Sequence, residues 1–323
     1  MTITAKVIAD SLNAQGVRVT TLQLLYPRFI HAEFMTHRVF SRNASSSRAI
    51  PVTKIINAII NDPALPVSWG QNQKGMQADQ DVDAATAERA KAVWLKGAEA
   101  AVVTAEALIA LGIHKQIANR VLEPWAHISV IVTATEWENF YALRDHKDAQ
   151  PEIAALARAM RIAMDGSTPR LLGPDDWHLP YVTDEDRHLV GIYAETLWAH
   201  NTDQCRRQFA NAVDMREYMV LQISTARCAR VSYNTHDGGK PKIEDDIKLA
   251  DRLLDSKHMS PFEHQVTPCA CGDFHANMRG YHTFRGILEG SERLRAHAAL
   301  AKKRLVEHLQ RMGFEVVGEA PVQ

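Results

Sequence analysis

A fold built from both helices and strands is what the sequence predicts, on three observations. Residues 17–25 and 127–133 are runs of β-branched and aliphatic side chains, the pattern that suits a pleated, partly buried surface. Residues 84–111 are alanine-rich and free of proline, the makeup of a long helix. The 323 residues, 46% hydrophobic and 23% charged, match a soluble globular chain of one or two domains with a sizeable core.

Taken in order, the strand at 17–25 is closed by Tyr26-Pro27, and Phe29, Ile30, Phe34 and Met35 then recur at near-helical spacing. Pro51 breaks that segment, and a short helix follows at 53–61. Residues 62–80, rich in Pro, Gly, Asn and Gln, read as a loop long enough to be functional or mobile. The helix at 84–111 is expected to pack in the core or between subunits. A short helix from Lys115 carries Arg120 and stops at Pro124, the strand at 127–133 follows, and a helix spans 137–144. Residues 165–189, rich in Pro, Gly, Asp and Trp, read as an irregular insertion. Helices are expected at 202–226, at 244–256 and, as a solvated amphipathic element, at 291–312.

Charge and cysteine content exclude several function classes. A formal net charge of -1 and a pI near 7.0 give no global basic field, so no nucleic-acid partner is expected. No apolar run is long enough to cross a membrane, and residues 1–15 do not resemble a signal peptide, which points to the cytoplasm. Four cysteines, Cys205, Cys228, Cys269 and Cys271, are too few and too uneven for a disulfide framework, so reduced thiols are expected. Cys269 and Cys271 with His275 and His282 have zinc-ligand chemistry, but Cys-x-Cys departs from the usual gap, and no metal is expected.

The segment from Thr36 to Arg48 concentrates three arginines, one histidine and four serines. Arginine forks match phosphate oxygens, and hydroxyls with successive backbone N–H groups can complete a cradle, so this stretch reads as an anion site. It resembles the signature of the flavin-dependent thymidylate synthases, Arg-His-Arg, seven residues, Ser, one residue, Arg. His37, Arg38, Ser46 and Arg48 match it, and Thr36 stands at the first arginine. Further matches follow in Arg120-Val121-Leu122-Glu123-Pro124, in Asn139 to Arg144 and in Ala149 to Ile153. Ala229 to Tyr233 and His258 to His264 resemble segments that precede the signature in the usual family order, yet here they follow it.

That resemblance covers residues 17–163 and 224–267 and implies a rearranged, phage-like member: one catalytic domain over 1–323, with a signature and nucleotide half at 17–163, an insertion and helix at 164–223, and a flavin and folate side at 224–323. Exposed junctions tolerate such permutation. It implies an α+β fold, a mainly antiparallel sheet with helices as in the thymidylate synthase-complementing proteins, with the segment order rearranged, and a homotetramer with shared active sites. The implied reaction is methylation of dUMP at C5, with methylenetetrahydrofolate as carbon donor, FAD as cofactor and NADPH as reductant. The implied catalytic residues are Arg144, Ser46 and His258. Glu33, Ser46, Ser47, Arg48, Arg120 and Arg144 are implied to bind the nucleotide, with Arg48, Arg120 and Arg144 as its clamp. His37, Arg38, Val39, Asn43, Asn139, Leu143, Ser232, Ser260 and Glu263 are implied to contact the flavin, and His258 to lie beside folate and flavin. Thr36, Ala44 and residues 133–135 depart from the family pattern, and the lost arginine charge falls to Arg42 or to the C-terminal region. Two alternatives therefore stand beside the synthase: a non-catalytic deoxynucleotide-binding protein of the same fold, and a sister enzyme transferring another one-carbon group to a deoxypyrimidine nucleotide. Residues 275–285, with Asn277, Arg279 and Tyr281, are a candidate further polar wall or a surface turn.

Overall fold

The computed structural model describes residues 2–200, 202–206, 208–231, 241–270 and 272–291. Two long strands, β1 (Thr4–Leu12) and β2 (Arg18–Pro27), form an antiparallel pair joined by a turn in which Gly16 adopts φ +77°. After a 3-10 turn at Arg28–Ile30 and the short helix α1 (His31–Phe34), the signature enters β3 (Ser41–Ala44). Helix α2 (Val52–Asn61) starts behind Pro51, and α3 (Ala84–Ala110) is capped by Asp83, whose side chain accepts from Thr86 N at 2.9 Å. Helix α4 (Lys115–Ala118) runs into a 3-10 segment at Asn119–Trp125 that contains Pro124, and β4 (His127–Ala134) follows. Then come α5 (Glu138–Arg144), α6 (Pro151–Asp165), with its proline in the first turn, and β5 (Arg170–Leu171).

The five strands make one sheet in the order β3-β4-β2-β1-β5, antiparallel throughout except for the parallel β1–β5 pair. The fold is α+β with a mostly antiparallel sheet, as expected. Strand periodicity sorts its two faces. Leu22, Leu24, Tyr26, Ile128, Val130 and Val132 share a core with Ile153, Leu156, Ala157 and Met160 of α6. On alternate positions, Thr21, Ile131 and Thr133 serve the other face, where Ile131 packs with Cys228 and Val231. A polar residue in a buried strand therefore marks the face that receives a polar partner.

The remaining elements are α7 (Asp184–His200), α8 (Thr202–Arg206), α9 (Ala212–Arg230), α10 (Ile243–Asp255), and the short strands β6 (Val266–Pro268), β7 (Phe274–His275), β8 (Met278–Arg279) and β9 (Tyr281–Thr283). Helices α7, α9 and α10 enclose a second core with Leu179, Val190, Met219, Ile223, Leu253 and Phe262. A third core joins α2 and α3 to the 3-10 segment through Ile55, Ile56, Ala101, Ala105 and Leu122. On α3 only Ala98, Ala101 and Ala105 are buried, while Val93 and Val103 are exposed.

Several expectations change. Strand β1 and helix α7 were not anticipated: β1 mixes Lys6 and Asp10 with small residues, and the acidic first turn of α7 hides its short apolar stripe. The insertion is therefore helical from Asp184, not irregular to 189. The helix expected at 202–226 is two, α8 and α9, with Asn211 capping the second through Asp214 N at 2.9 Å. The loop at 62–80 is anchored at its start, where Trp94 Nε1 donates to Ala64 O and Val67 N donates to the buried carboxylate of Glu152. The helix expected at 291–312 lies outside the described residues, Ser291 apart.

Two buried polar devices tie the layers together. Arg227 of α9 pairs with Asp186 of α7 at 2.6 Å and Asp246 of α10 at 3.0 Å, and Arg230 adds a bond to Asp246 at 2.9 Å. Burial alone would raise the Asp186 pKa, but hydrogen bonds from Arg227 and Thr183 outweigh it and hold the carboxyl well below the usual range. On the sheet's second face, hydrogen bonds link Ser11, His178, Thr21, Thr133 and His264 in sequence, at 2.7 to 2.9 Å. His178 also pairs through its backbone with Val266.

Arg227→Ala would leave buried Asp186 without its ion-pair partner and Asp246 with Arg230 alone, and is expected to cost about 3–5 kcal/mol of stability, read by urea unfolding. Burial pushes the pKa of both His178 and His264 down to about 3. In the unfolded chain both titrate near 6.5, so between these values the unfolded state binds the extra protons. The contribution of these two histidines to the unfolding free energy should therefore be flat above about pH 6.5 and fall with acidification by about 1.4 kcal/mol per unit for each. Replacing His264 by Gln should reduce that slope.

Candidate active site

The signature lies on an aromatic floor. Phe34 and Phe40, either side of His37, pack against Phe140 of α5 with ring centroids 5.9 and 5.4 Å away. The His37 ring meets Phe140 edge-on at 4.9 Å and stacks on Phe40 at 5.8 Å. These contacts bury His37 while Arg38 and Val39 stay exposed, so neighbouring signature residues face opposite environments.

Three groups of candidate residues form around this frame. In the first, Arg144 Nε donates to His37 Nε2 at 3.0 Å, and the guanidinium approaches Glu33 Oε2 and Thr36 Oγ1, each at 3.4 Å. Burial, then Arg144 and Arg42, lower the His37 pKa to about 4. The ring is neutral at physiological pH, with its proton on Nδ1 and Nε2 free to accept. Thr36 donates to Glu33 O at 2.7 Å. Arg42 turns inward, where Nη1 donates to Phe34 O at 3.0 Å and burial lowers its pKa.

The second group lines a cleft of about 340 Å³. Asn43, Ser46 and Arg48 of the signature meet His258 and Ser260, which the sequence places more than two hundred residues later. Ala229, Leu253 and Pro261 supply apolar wall. Asn43 is only 7% exposed, and its Nδ2 has no hydrogen-bond partner. A buried donor of this kind costs about 1–3 kcal/mol unless something accepts from it.

The third group centres on Glu123, whose Oε1 accepts from Ser47 Oγ at 2.7 Å and Arg120 Nη1 at 2.9 Å and faces Arg28 Nη2 at 3.2 Å. Asn119 Nδ2 fixes the same stretch through Ser47 O and Ile50 O. Among the described residues, no two of Arg48, Arg120 and Arg144 share a partner. Arg120 is held by Glu123, to which Ser47 of the signature also donates, Arg144 is held by His37 and Glu33, and Arg48 lines the cleft.

Asn139 and Leu143 are exposed on α5, the helix that bears Arg144. Glu263 is bound at 2.6 Å by Nη1 of Arg285, the last residue of the expected polar wall. Ser232 and Tyr233 lie outside the described residues, as does Cys271. Of the expected polar wall, Asn277 Nδ2 reaches Ser41 Oγ at 2.8 Å and Val39 O at 3.2 Å. Arg279 Nε instead pairs with Glu136 at 2.6 Å, and Tyr281 is core, its hydroxyl bound to Val17 O. The departures at 133–135 acquire a cause: Thr133 bonds His264 at 2.8 Å, and Thr135 Oγ1 accepts from Arg279 N at 3.0 Å. Both threonines seat the C-terminal segment on the sheet. Gln116 also lines the cleft, without a sequence signal.

Residues 17–170 match the family model described as thymidylate synthase complementing protein. Among solved structures, the chain is similar to a UMP/dUMP methylase, PolB, from Streptomyces cacaoi. The form bound with 5-Br UMP is 17% identical, with 50% of this chain and 88% of that chain covered and a TM-score of 0.43. The form bound with 5-Br dUMP is 18% identical, with 50% and 90% covered and a TM-score of 0.44. No curated protein matches. No described helix is long and apolar enough to cross a membrane.

His37→Ala should lose two ring contacts, worth about 0.5–1.5 kcal/mol each, and the bond from the charged Arg144, worth about 1.5–3 kcal/mol. His37→Phe should keep the ring contacts and lose only the bond. Denaturant unfolding of both variants separates the contributions, and equal losses would place the stabilisation in the hydrogen bond.

Proposed function

We propose that this chain, whose residues 17–170 match the model of the thymidylate synthase complementing family, is an FAD-dependent thymidylate synthase that methylates dUMP to dTMP with methylenetetrahydrofolate and NADPH. The observation that carries this reading is the cleft itself, where signature residues Asn43, Ser46 and Arg48 meet His258 and Ser260 from the displaced segment. Two stretches that resemble parts of one site, far apart in sequence, line the same cavity.

The residues present suit a flavin. Asn43 lines the cleft and carries a buried amide nitrogen without a partner, and Ala229, Leu253 and Pro261 offer apolar surface to a planar ring. When bound, the flavin supplies the hydride that the transferred carbon requires. Arg48, exposed at the cleft, is placed to meet an anion, with Ser46 as a hydrogen-bonding neighbour. Arg144, held by His37 and Glu33, presents a guanidinium of fixed orientation to a uracil or a phosphate. Ser46 and Arg144 act by binding and orienting, and His258 by lining the side where folate would approach. No side-chain nucleophile is needed: Cys205 and Cys228 are buried outside the cleft, and burial pushes the Cys228 thiol up.

A homotetramer with shared active sites, as the family resemblance implies, would bring residues of other subunits to these groups. The exposed faces of α3 and α5, with Val93, Val103 and Leu143, are the surfaces for such packing. A specific observation keeps the sister-enzyme reading alive: with Thr36 in the signature, the Arg144 cluster holds one guanidinium beside one carboxylate. That lower charge would alter how the flavin and the carbon donor sit.

Purified protein with added FAD, titrated with dUMP while the visible spectrum is recorded, tests the proposal. A flavin band that shifts with dUMP, followed by tritium release from C5 of labelled dUMP on adding methylenetetrahydrofolate and NADPH, is expected. Binding of dUMP with no flavin binding under any condition would sink the synthase reading. A one-carbon product other than dTMP would select the sister enzyme. Arg144→Ala should weaken dUMP binding by about 2–5 kcal/mol, and a loss below about 1 kcal/mol would remove it from the nucleotide site.

A further inference from the structure

Residues 266–283 fold back twice within a few short strands. β6 pairs with β9, setting Thr267 opposite His282, and β7 pairs with β8 through a turn in which Ala276 adopts φ 57°. The closing turn needs Gly280, at φ +71°, whose carbonyl accepts from Cys269 N and Asn13 Nδ2. This path brings together three side chains that spacing alone keeps apart: Cys269 after β6, His275 on β7 and His282 on β9. Their ligand atoms, one from each residue, all lie within 4.8 Å of one another, and the two imidazole rings are 4.0 Å apart at their centroids.

We propose that Cys269, His275 and His282 form a zinc site. Zn–S of about 2.3 Å and Zn–N of about 2.0–2.1 Å in a tetrahedron put ligand atoms about 3.3–3.6 Å apart, so closure asks for movements of about an ångström. One thiolate with two imidazoles suits zinc, and the same set serves copper, from which metal analysis distinguishes it. The set lacks the carboxylates and carbonyls that calcium or magnesium requires, and it offers too few thiolates for an iron–sulfur cluster. Cys269 is buried while both histidines are half-buried, which gives a metal an entry path from one side.

The strands around the site are two or three residues long, too short to be stable by pairing alone. A metal cross-link supplies what the small core beneath them, with Val266, Met278 and Tyr281, cannot. The consequence reaches the cleft region, because Asn277 in the same hairpin bonds Ser41 and Val39 of the signature. With water in the fourth position, these three ligands would tie this hairpin against the signature, a link that stands whether or not the nucleotide reading does.

Metal analysis of the full chain, purified without chelator or affinity-tag metal, should give about one zinc per chain, falling below about a fifth in Cys269→Ser and in His282→Ala. Cobalt loading of the unaltered chain guards against variants that fail to fold. A difference spectrum against the zinc-loaded chain, which cancels any flavin, should show a thiolate-to-cobalt charge-transfer band and intense tetrahedral bands in the visible, bleached by added zinc. Absence of stoichiometric zinc together with only weak octahedral cobalt bands would overturn the proposal. So would folded Cys269→Ser protein that keeps its full zinc content.

Discussion

The buried chain of hydroxyls and imidazoles on the second face of the sheet is the constraint on which the rest of this structure depends. Ser11, Thr21 and Thr133 come from three strands, and His178 and His264 come from segments that follow the sheet in sequence. Each of these bonds offsets a desolvation cost that a shifted register would restore, so they favour one docking of the C-terminal half, although His264 Nε2 stays buried without a partner. Apolar contact would have allowed sliding, whereas a directional chain of bonds does not. It also requires neutral histidines, which burial enforces.

That docking is what creates the cleft. Once His264 is fixed on Thr133, the residues just before it, Ser260 and His258, are carried to the edge of β3, where Asn43 and Ser46 wait. The second core then braces the arrangement through Arg227, whose two aspartate partners come from α7 and α10. The ion pairs sit between helices that share little sequence logic, and removing one partner would strand a buried charge. The aromatic floor does the same service for the first half of the signature by fixing the His37 ring, which in turn holds Arg144.

The distribution of charge explains why the chain can be near neutral and still present anion chemistry. Arg120 and Arg28 meet Glu123, Arg144 meets Glu33, and Arg285 meets Glu263. Arginines held in place by nearby carboxylates lose little freedom when a ligand arrives, which favours specificity over raw affinity. Arg48 has no such carboxylate among the described ion pairs and stands exposed at the cleft.

Local pattern alone determined the strands at β2 and β4, the helices α2, α3, α5 and α10, and the signature with its anion chemistry, because propensity, periodicity and motif are written within a few neighbouring residues. It did not reveal β1, whose mixed composition becomes a strand only by pairing with β2, or α7, whose apolar stripe has meaning only against α9. The candidate residues Ser46, Arg48, His258 and Ser260 were legible as types, but their meeting in one cleft was decided by the buried bonds that seat the C-terminal segment. The same holds for Cys269, His275 and His282. Their spacing argues against a metal, and only the double reversal of the chain, an effect of pairing between distant residues, brings their ligand atoms together.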